Sequence, residues 1–202
     1  MLNAETPRLK FALFGAHSSL GSALLCELLT RQHEVVAVVD DLNSMTARPG
    51  LRSKPGDLFD AVSVAQSVAG MDGVLCLLDS PELPSGPDSQ ARSLERAIDA
   101  LLAGLPKVEV DRLLLIGDIP TLGAGPENSA ALQRLAANPL RWTLVEAQAS
   151  GSDLSIEDFL GELEAGSRPQ QLRRMAAGIA DELENPQHVH QQIHFRGPSE
   201  AG

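Results

Sequence analysis

The apolar residues of this chain change their spacing again and again, and that switching decides what it can fold into. Leu9–Phe14 (LKFALF) is a short, largely apolar run of strand length. Leu20, Leu24, Leu25, Leu28 and Leu29 then recur at helical spacing, ending near Arg31. Glu34–Val39 (EVVAVV) is β-branched and apolar on both faces, as a central parallel strand is. Residues 42–56 carry Pro, Gly, Ser and scattered charges and read as a loop with a short strand near Leu51. Asp60 can cap a helix over Ala61–Ala69, because its carboxylate accepts from an unpaired first-turn N–H. Gly73–Leu78 is the next strand, followed by a Pro/Ser/Gly loop from Asp79 to Pro87. Leu94, Ala97, Ile98, Leu101, Leu102 and Leu105 share one helix face, which Gly104 and Pro106 end. Arg112–Ile116 and Trp142–Val145 are further strands, the second after a short helix. Leu172, Met175, Ala176, Ile179, Ala180 and Leu183 form a last stripe, stopped by Asn185-Pro186, and Gln192–Phe195 can add a final strand.

Strand and helix in alternation mean a parallel sheet with crossover helices. The expectation is an α/β chain, a single-domain doubly wound parallel sheet of Rossmann type with helices on both faces. A dinucleotide half would run over about 8–105 and a trimmed substrate-side half over about 106–197. Ligands of such sheets bind at the carboxyl ends of the strands, so the segments to search are 15–21, 40–43, 57–60, 79–84 and 118–125.

The sharpest of these is Gly15-Ala16-His17-Ser18-Ser19-Leu20-Gly21, between the first strand and the first helix. A pyrophosphate there is held by backbone N–H groups and the positive end of the helix dipole, which demands small residues. Gly15 permits a tight turn and Gly21 close helix packing, but the middle glycine of the usual fingerprints is missing and Ser18 stands in its place. Ser18 either strains, if the position needs positive φ, or lends a hydroxyl to phosphate. A ligand-free βα turn is the plain alternative. Asp40 ends the second strand 25 residues after Gly15, where a carboxylate accepts from the ribose hydroxyls and repels a 2′-phosphate. Asp41 doubles that charge, while Arg48 and Arg52 in the following loop can offset it. The cofactor expectation is therefore NAD(H) over NADP(H).

Composition removes several function classes. The formal net charge is −11 over 202 residues, and no Lys/Arg cluster offers a phosphate-engaging face, so no nucleic-acid partner is expected. The one dense basic stretch, Arg168–Arg174, reads as the solvated side of a helix. No apolar stretch reaches about 18 residues, so no membrane partner is expected either. The first ten residues lack a signal-peptide core, and Cys26 and Cys76 sit in apolar runs as free thiols, which points to the cytoplasm. His188, His190 and His194 alternate as if on one strand face, but no neighbouring carboxylate or Cys is evident in sequence, and no metal is expected. The partners left are a dinucleotide and a small-molecule substrate, with the chain a monomer or small homo-oligomer. Tyrosine is absent.

FALFGAHSSLG (11–21), VVAVVDD (35–41), GDLFDAVSVAQSVAGMDGVLCLL (56–78), VDRLLLIG (110–117), LRWTLVEA (140–147) and ADELENPQHVHQQIHF (180–195) together resemble the atypical short-chain dehydrogenases. The resemblance covers nearly the whole chain and is closest to the NAD(P)H-binding, NmrA-like and flavin reductase-like branch. It implies that Asp57 and the Leu58 backbone, within Gly56-Asp57-x-x-Asp60, sit beside the adenine. The chain departs from that family in reading G-A-H-S where G-A-T-G is usual, and in a short segment between Gly117 and Trp142. A Tyr-x-x-x-Lys proton relay is impossible here for want of any tyrosine. Ser80, Asp118 and Thr121 follow strands on the binding edge and are substrate-side candidates, each equally open to a turn role. Two functions stay open: an NAD(P)-dependent oxidoreductase or isomerase, and a non-catalytic dinucleotide sensor.

Overall fold

The computed structural model describes residues 8–78, 93–118, 126–147 and 151–195. Strands β1 (Lys10–Phe14), β2 (Glu34–Val39), β3 (Leu51–Pro55), β4 (Gly73–Leu77), β5 (Arg112–Gly117), β6 (Arg141–Glu146) and β7 (Gln191–His194) form one sheet in the order β3-β2-β1-β4-β5-β6-β7. Every neighbouring pair is parallel. Helices α1 (Ser19–Thr30), α2 (Ala61–Val68), α3 (Leu94–Gly104), α4 (Pro126–Ala136) and α5 (Arg168–Glu184) connect them.

The period-two geometry of a strand sorts its side chains into two cores. Phe11 and Leu13 of β1 point into a layer with α1 and α5 (Leu20, Leu24, Ile179, Leu183). Ala12 and Phe14 point the other way, into a layer with α2, α3 and α4 (Val64, Ile98, Leu101, Leu135). The chain is thus the α/β, doubly wound single domain with helices on both faces that the apolar spacing predicts.

The short strand expected near Leu51 within residues 42–56 is present: Leu51–Pro55 is an edge strand, paired with β2 from Val35↔Leu51 to Val39↔Pro55. Its signal is weak because Leu51 is the one fully buried residue of LRSKP. Arg52 therefore lies on this strand, exposed, not in the preceding loop.

Asp60 caps α2 as expected, its Oδ1 accepting from the Val62 amide at 3.0 Å. Asp60→Ala should lower stability by about 1 kcal/mol. That corresponds to a fall of about 2–4 °C in Tm for a chain of this size. An unchanged thermal melt would show that the cap adds nothing here.

Candidate functional site

Because all seven strands run the same way, their carboxyl ends share one edge. Gly15 follows β1 on that edge, Asp40 follows β2, Asp57 follows β3 and Asp118 follows β5. Strand order reverses at β1, which lies between β2 and β4, and the crevice of a doubly wound sheet opens at such a switch. The Gly15–Gly21 loop occupies it. Ser80 and Thr121 lie outside the described residues.

The loop is built on its two glycines. Gly15 has φ +83°, a region that costs a side chain steric strain. A Cβ on Gly21 would stand 2.3 Å from the Gly15 carbonyl oxygen and 3.0 Å from the Ala16 carbonyl carbon. Space at this βα turn is thus reserved for bare backbone. Ser18 carries no strain: its φ of −73° is an ordinary N-cap value. Its hydroxyl donates to the Gly15 carbonyl at 2.9 Å and accepts from the Gly21 amide at 3.0 Å. With the residue only 3% exposed, that oxygen serves the turn and the start of α1. A bond from it to phosphate would cost the one to Gly15. Ala16, Ser19 and Leu20 are buried with it, and His17 is half-buried. The His17 Nε2 lies 2.9 Å from Ser44 Oγ, tying the glycine loop to the loop after β2.

Asp40 and Asp41 are both exposed beside that loop. Asp41 Oδ1 accepts from the Asn43 amide at 2.9 Å and caps the 3₁₀ turn Leu42–Ser44. Asp57 is exposed, accepting from the Phe59 amide at 2.9 Å, and its own amide donates to Ser63 Oγ at 2.8 Å. Leu58 is half-buried against the α2–α3 layer. Asp118 is half-buried just beyond β5.

Sequence reasoning missed the segment that covers this edge. Residues 151–157 lie across the glycine loop, and the Ser19 amide donates to the Gly151 carbonyl at 2.9 Å. Ser19 Oγ donates to Asp153 Oδ1 at 3.2 Å and accepts from the Leu154 amide at 3.3 Å. Arg168, the first residue of α5, donates to both Asp153 oxygens at 2.8 and 2.7 Å. That pairing, with help from backbone and Ser19 bonds, holds the Asp153 carboxyl below the usual range. Glu157 pairs with Arg48. Its carboxyl is also held low, by its backbone, Ser155 and Arg48. Between this segment, the glycine loop and Ser44–Arg48 remains a cleft of about 290 Å³.

The basic stretch 168–174 lies along α5 with its arginines exposed or half-exposed, and it also makes surface bonds: Arg168 binds Asp153 and Arg173 donates to the Gly161 carbonyl. One further expectation is corrected here. The histidines do have carboxylate neighbours, but different ones: His188 Nδ1 lies 2.8 Å from Glu182 and His194 Nδ1 lies 2.7 Å from Glu146. His190 Nε2 meets the Leu140 carbonyl. Among the described residues no three metal-binding groups come together.

The site's backbone cradle, at the switch point and closed to any Cβ, fits the dinucleotide of the resemblance. Comparison with known proteins agrees. A family model described as NAD(P)H-binding matches residues 15–154, more than two thirds of the chain. The oxidoreductase ylbE from Lactococcus lactis has the same fold with a TM-score of 0.67 and 18% identity, over 94% of this chain and 91% of that one. A wide-type short-chain dehydrogenase/reductase from Veillonella parvula, in complex with NADP, gives 0.65 at 12% identity over 96% of each chain. A chain from Burkholderia pseudomallei, named as a candidate exported protein, gives 0.62 at 22% identity over 92% of this chain and 98% of that one. At such identities the structures speak for the fold alone. No curated protein sequence matches. The family match, which starts at Gly15 itself, shows that the chain belongs to the NAD(P)H-binding family.

Proposed function

We propose that the chain is an NAD(P)-dependent oxidoreductase or isomerase of the atypical short-chain type, acting on a small organic substrate without a Tyr-x-x-x-Lys pair. The observation that carries the reading is the Gly15–Gly21 cradle, where Gly21 leaves no room for a Cβ against the Gly15 carbonyl. The dinucleotide would be held by Gly15, Ala16, His17, Ser18, Ser19, Leu20 and Gly21, with Asp40 and Asp41 toward the adenosine ribose and Asp57 and Leu58 toward the adenine. When bound, the nicotinamide supplies hydride, and the chain's own share is position and electrostatics. Ser80, Asp118 and Thr121 are the candidates on the substrate side. The rival reading, a sensor that binds without turnover, is favoured by the complete lack of tyrosine.

Several observations support NAD(H) over NADP(H). Asp40 and Asp41 both carry negative charge to the edge where a 2′-phosphate would lie. Arg48 is already paired with Glu157, and Arg52 sits exposed on β3, so neither is poised to offset them. Retaining about 1.4 kcal/mol of repulsion gives a tenfold preference. NADH should therefore bind about tenfold more tightly than NADPH, and Asp40→Ala should narrow or reverse the gap. Titration with all four nicotinamide cofactors tests this, and tighter NADPH binding by the unmodified protein would refute the placement of Asp40. A turnover screen against quinones, flavins and aldehydes then separates enzyme from sensor.

The reading also keeps the chain away from nucleic acid and membrane, as a monomer or small homo-oligomer. Its acidity supports the first, and among the described residues no helix is long and apolar enough to cross a membrane. A cytoplasmic location is supported by Cys26 and Cys76, both buried free thiols. Burial pushes the Cys26 thiol up, against the Arg173 charge, which suits an unreactive core position.

A further inference from the structure

The first turn of a helix that receives phosphate must present its amides to the ligand. In this protein two first-turn amides of α1 already have acceptors from the chain itself. Gly21 N–H is bonded to Ser18 Oγ within the turn, a bond compatible with a ligand outside it. Ser19 N–H is bonded to the Gly151 carbonyl, 132 positions away in sequence, and that one is not compatible. Beside it Ser19 Oγ holds the Asp153 carboxylate, so an anion stands at the positive end of α1 where a pyrophosphate belongs.

The same segment also fills the other end of the cleft. Four residues beyond Asp153, Glu157 lies on Arg48, the side chain that a phosphate on the ribose would seek. The two carboxylates thus mimic a phosphorylated ligand along one wall of the cleft. A cleft of about 290 Å³ lies at the lower end of the roughly 300–1,000 Å³ that drug-sized ligands need, and a dinucleotide is larger.

The attachments of the segment are unequal. Ile156 and Phe159 are buried in the α1–α5 core, and the Ser155–Asp158 capping box fixes the turn between them. Gly151, Ser152 and Asp153 are exposed, and Gly151 and Asp153 reach the rest of the protein through polar contacts. Gly151 has φ +126°, and its ideal Cβ would stand 2.5 Å from Arg168 Nη2, so only glycine brings the carbonyl onto Ser19 beside that guanidinium.

We propose that residues 151–157 are a self-occupying strap of the dinucleotide site. Its 151–153 end leaves when a dinucleotide binds, releasing the Leu154 amide from Ser19 Oγ, and Arg168 exchanges its bond to Asp153 for one to a ligand phosphate. The inference rests on the dinucleotide reading. One acceptor anion replaces another, so the charge at α1 and Arg168 is satisfied in both states. The strap weakens apparent affinity by the fraction of molecules in which it is open.

Removing the internal anion should therefore strengthen binding. NADH titration by fluorescence or calorimetry should give Asp153→Ala a Kd about three- to tenfold lower than the unmodified protein, the size of one exposed charge pair with its hydrogen bonds. Adding Arg168→Ala to that variant should raise Kd again, since the ligand then loses its arginine. Amide hydrogen exchange supplies a readout independent of affinity. Saturating NADH should deprotect the Leu154 amide as the strap lifts from Ser19 Oγ, while Ser19 N–H stays protected by the new acceptor. Equal or weaker NADH binding by folded Asp153→Ala, with Leu154 protection unchanged at saturation, would make the strap a fixed wall and overturn the proposal. Binding by neither protein would overturn the dinucleotide reading and the strap with it.

Discussion

Gly21→Val is expected to remove measurable NADH binding, a loss of more than about 100-fold, while the chain still folds. The branched side chain would start 2.3 Å from the Gly15 carbonyl oxygen, 2.9 Å from Ser18 Oγ and 3.0 Å from the Ala16 carbonyl carbon. Two of the three are backbone, so no rotamer change relieves the clash. Relief comes only if the start of α1 lifts away from the loop, and then the Ser18 cap on the Gly21 amide and its bond to Gly15 are lost together. Overpacking of this kind costs about 1–3 kcal/mol, and losing a cap adds about 1 kcal/mol. A fall of about 10 °C in Tm is the corresponding shift. Gly21→Ala puts one methyl at the same point and should weaken binding in the same direction, which keeps the test alive if the valine variant fails to fold. Ser18→Ala is the control, losing the cap without the clash. Calorimetric titration showing full NADH affinity in folded Gly21→Val protein would mean that the ligand does not use this loop.

Glycine's role here was legible in the sequence because the requirement falls on the backbone, and a backbone requirement leaves few residue choices. The central strands were legible for a related reason. Strands β1, β2, β4, β5 and β6 are buried on both faces, and nearly continuous apolar runs meet that requirement. Edge strand β3 was legible only as a short strand near Leu51, without its bounds, since its partner β2 places it and its own side chains mostly meet solvent. Ser18 was ambiguous because residue type does not reveal φ, and −73° settles the matter of strain. The strand-face alternation suggested by the histidines does not hold, because alternation applies only inside a regular strand. His188 and His190 precede β7, and His190 has φ +60°, so the three side chains leave in different directions. The strap was illegible for a deeper reason. Its sequence shows a capping box, but what it docks on lies 134 residues earlier, and no local pattern encodes the pairing of Asp153 with Ser19.

Glu182→Ala is expected to destabilise the chain by about 4 kcal/mol. Glu182 is 5% exposed and Arg112, at the start of β5, is 2% exposed. The Arg112 guanidinium donates through Nη2 to Glu182 Oε1 at 3.0 Å and through Nη1 to Thr143 Oγ1 and the Arg141 carbonyl at 2.8 Å. Glu182 in turn accepts from the His188 amide at 3.0 Å and the Gln187 amide at 3.2 Å, with the His188 ring at 2.8 Å. One carboxylate therefore joins β5, α5 and the turn that leads into β7. Deleting it leaves a buried cation without its counter-charge, though still bonded to Thr143 and the Arg141 and Glu182 carbonyls, and leaves two amides without their acceptor, a loss that costs far more than the pair is worth in net stability. The fall in Tm should be about 8–16 °C. Arg112→Met/Glu182→Leu should recover part of it, because an apolar pair replaces the ions but cannot serve the Gln187 and His188 amides. The pH dependence carries its own sign. Burial works against the Glu182 charge, but bonds from His188, Gln187 and Arg112 overcome it and hold the group below the usual glutamate range. A group depressed on folding gives its full stabilisation above the unfolded value of about 4.3 and loses it as pH falls through the folded value. Urea unfolding of the unmodified protein should show stability dropping below about pH 4, with a shallower drop in Glu182→Gln, where that group no longer titrates. Identical pH profiles for the two would mean that other carboxylates carry the acid response. A Glu182→Ala protein within about 1 kcal/mol of the unmodified one would mean that water replaces the carboxylate, and that α5 is held to the sheet by its apolar face alone.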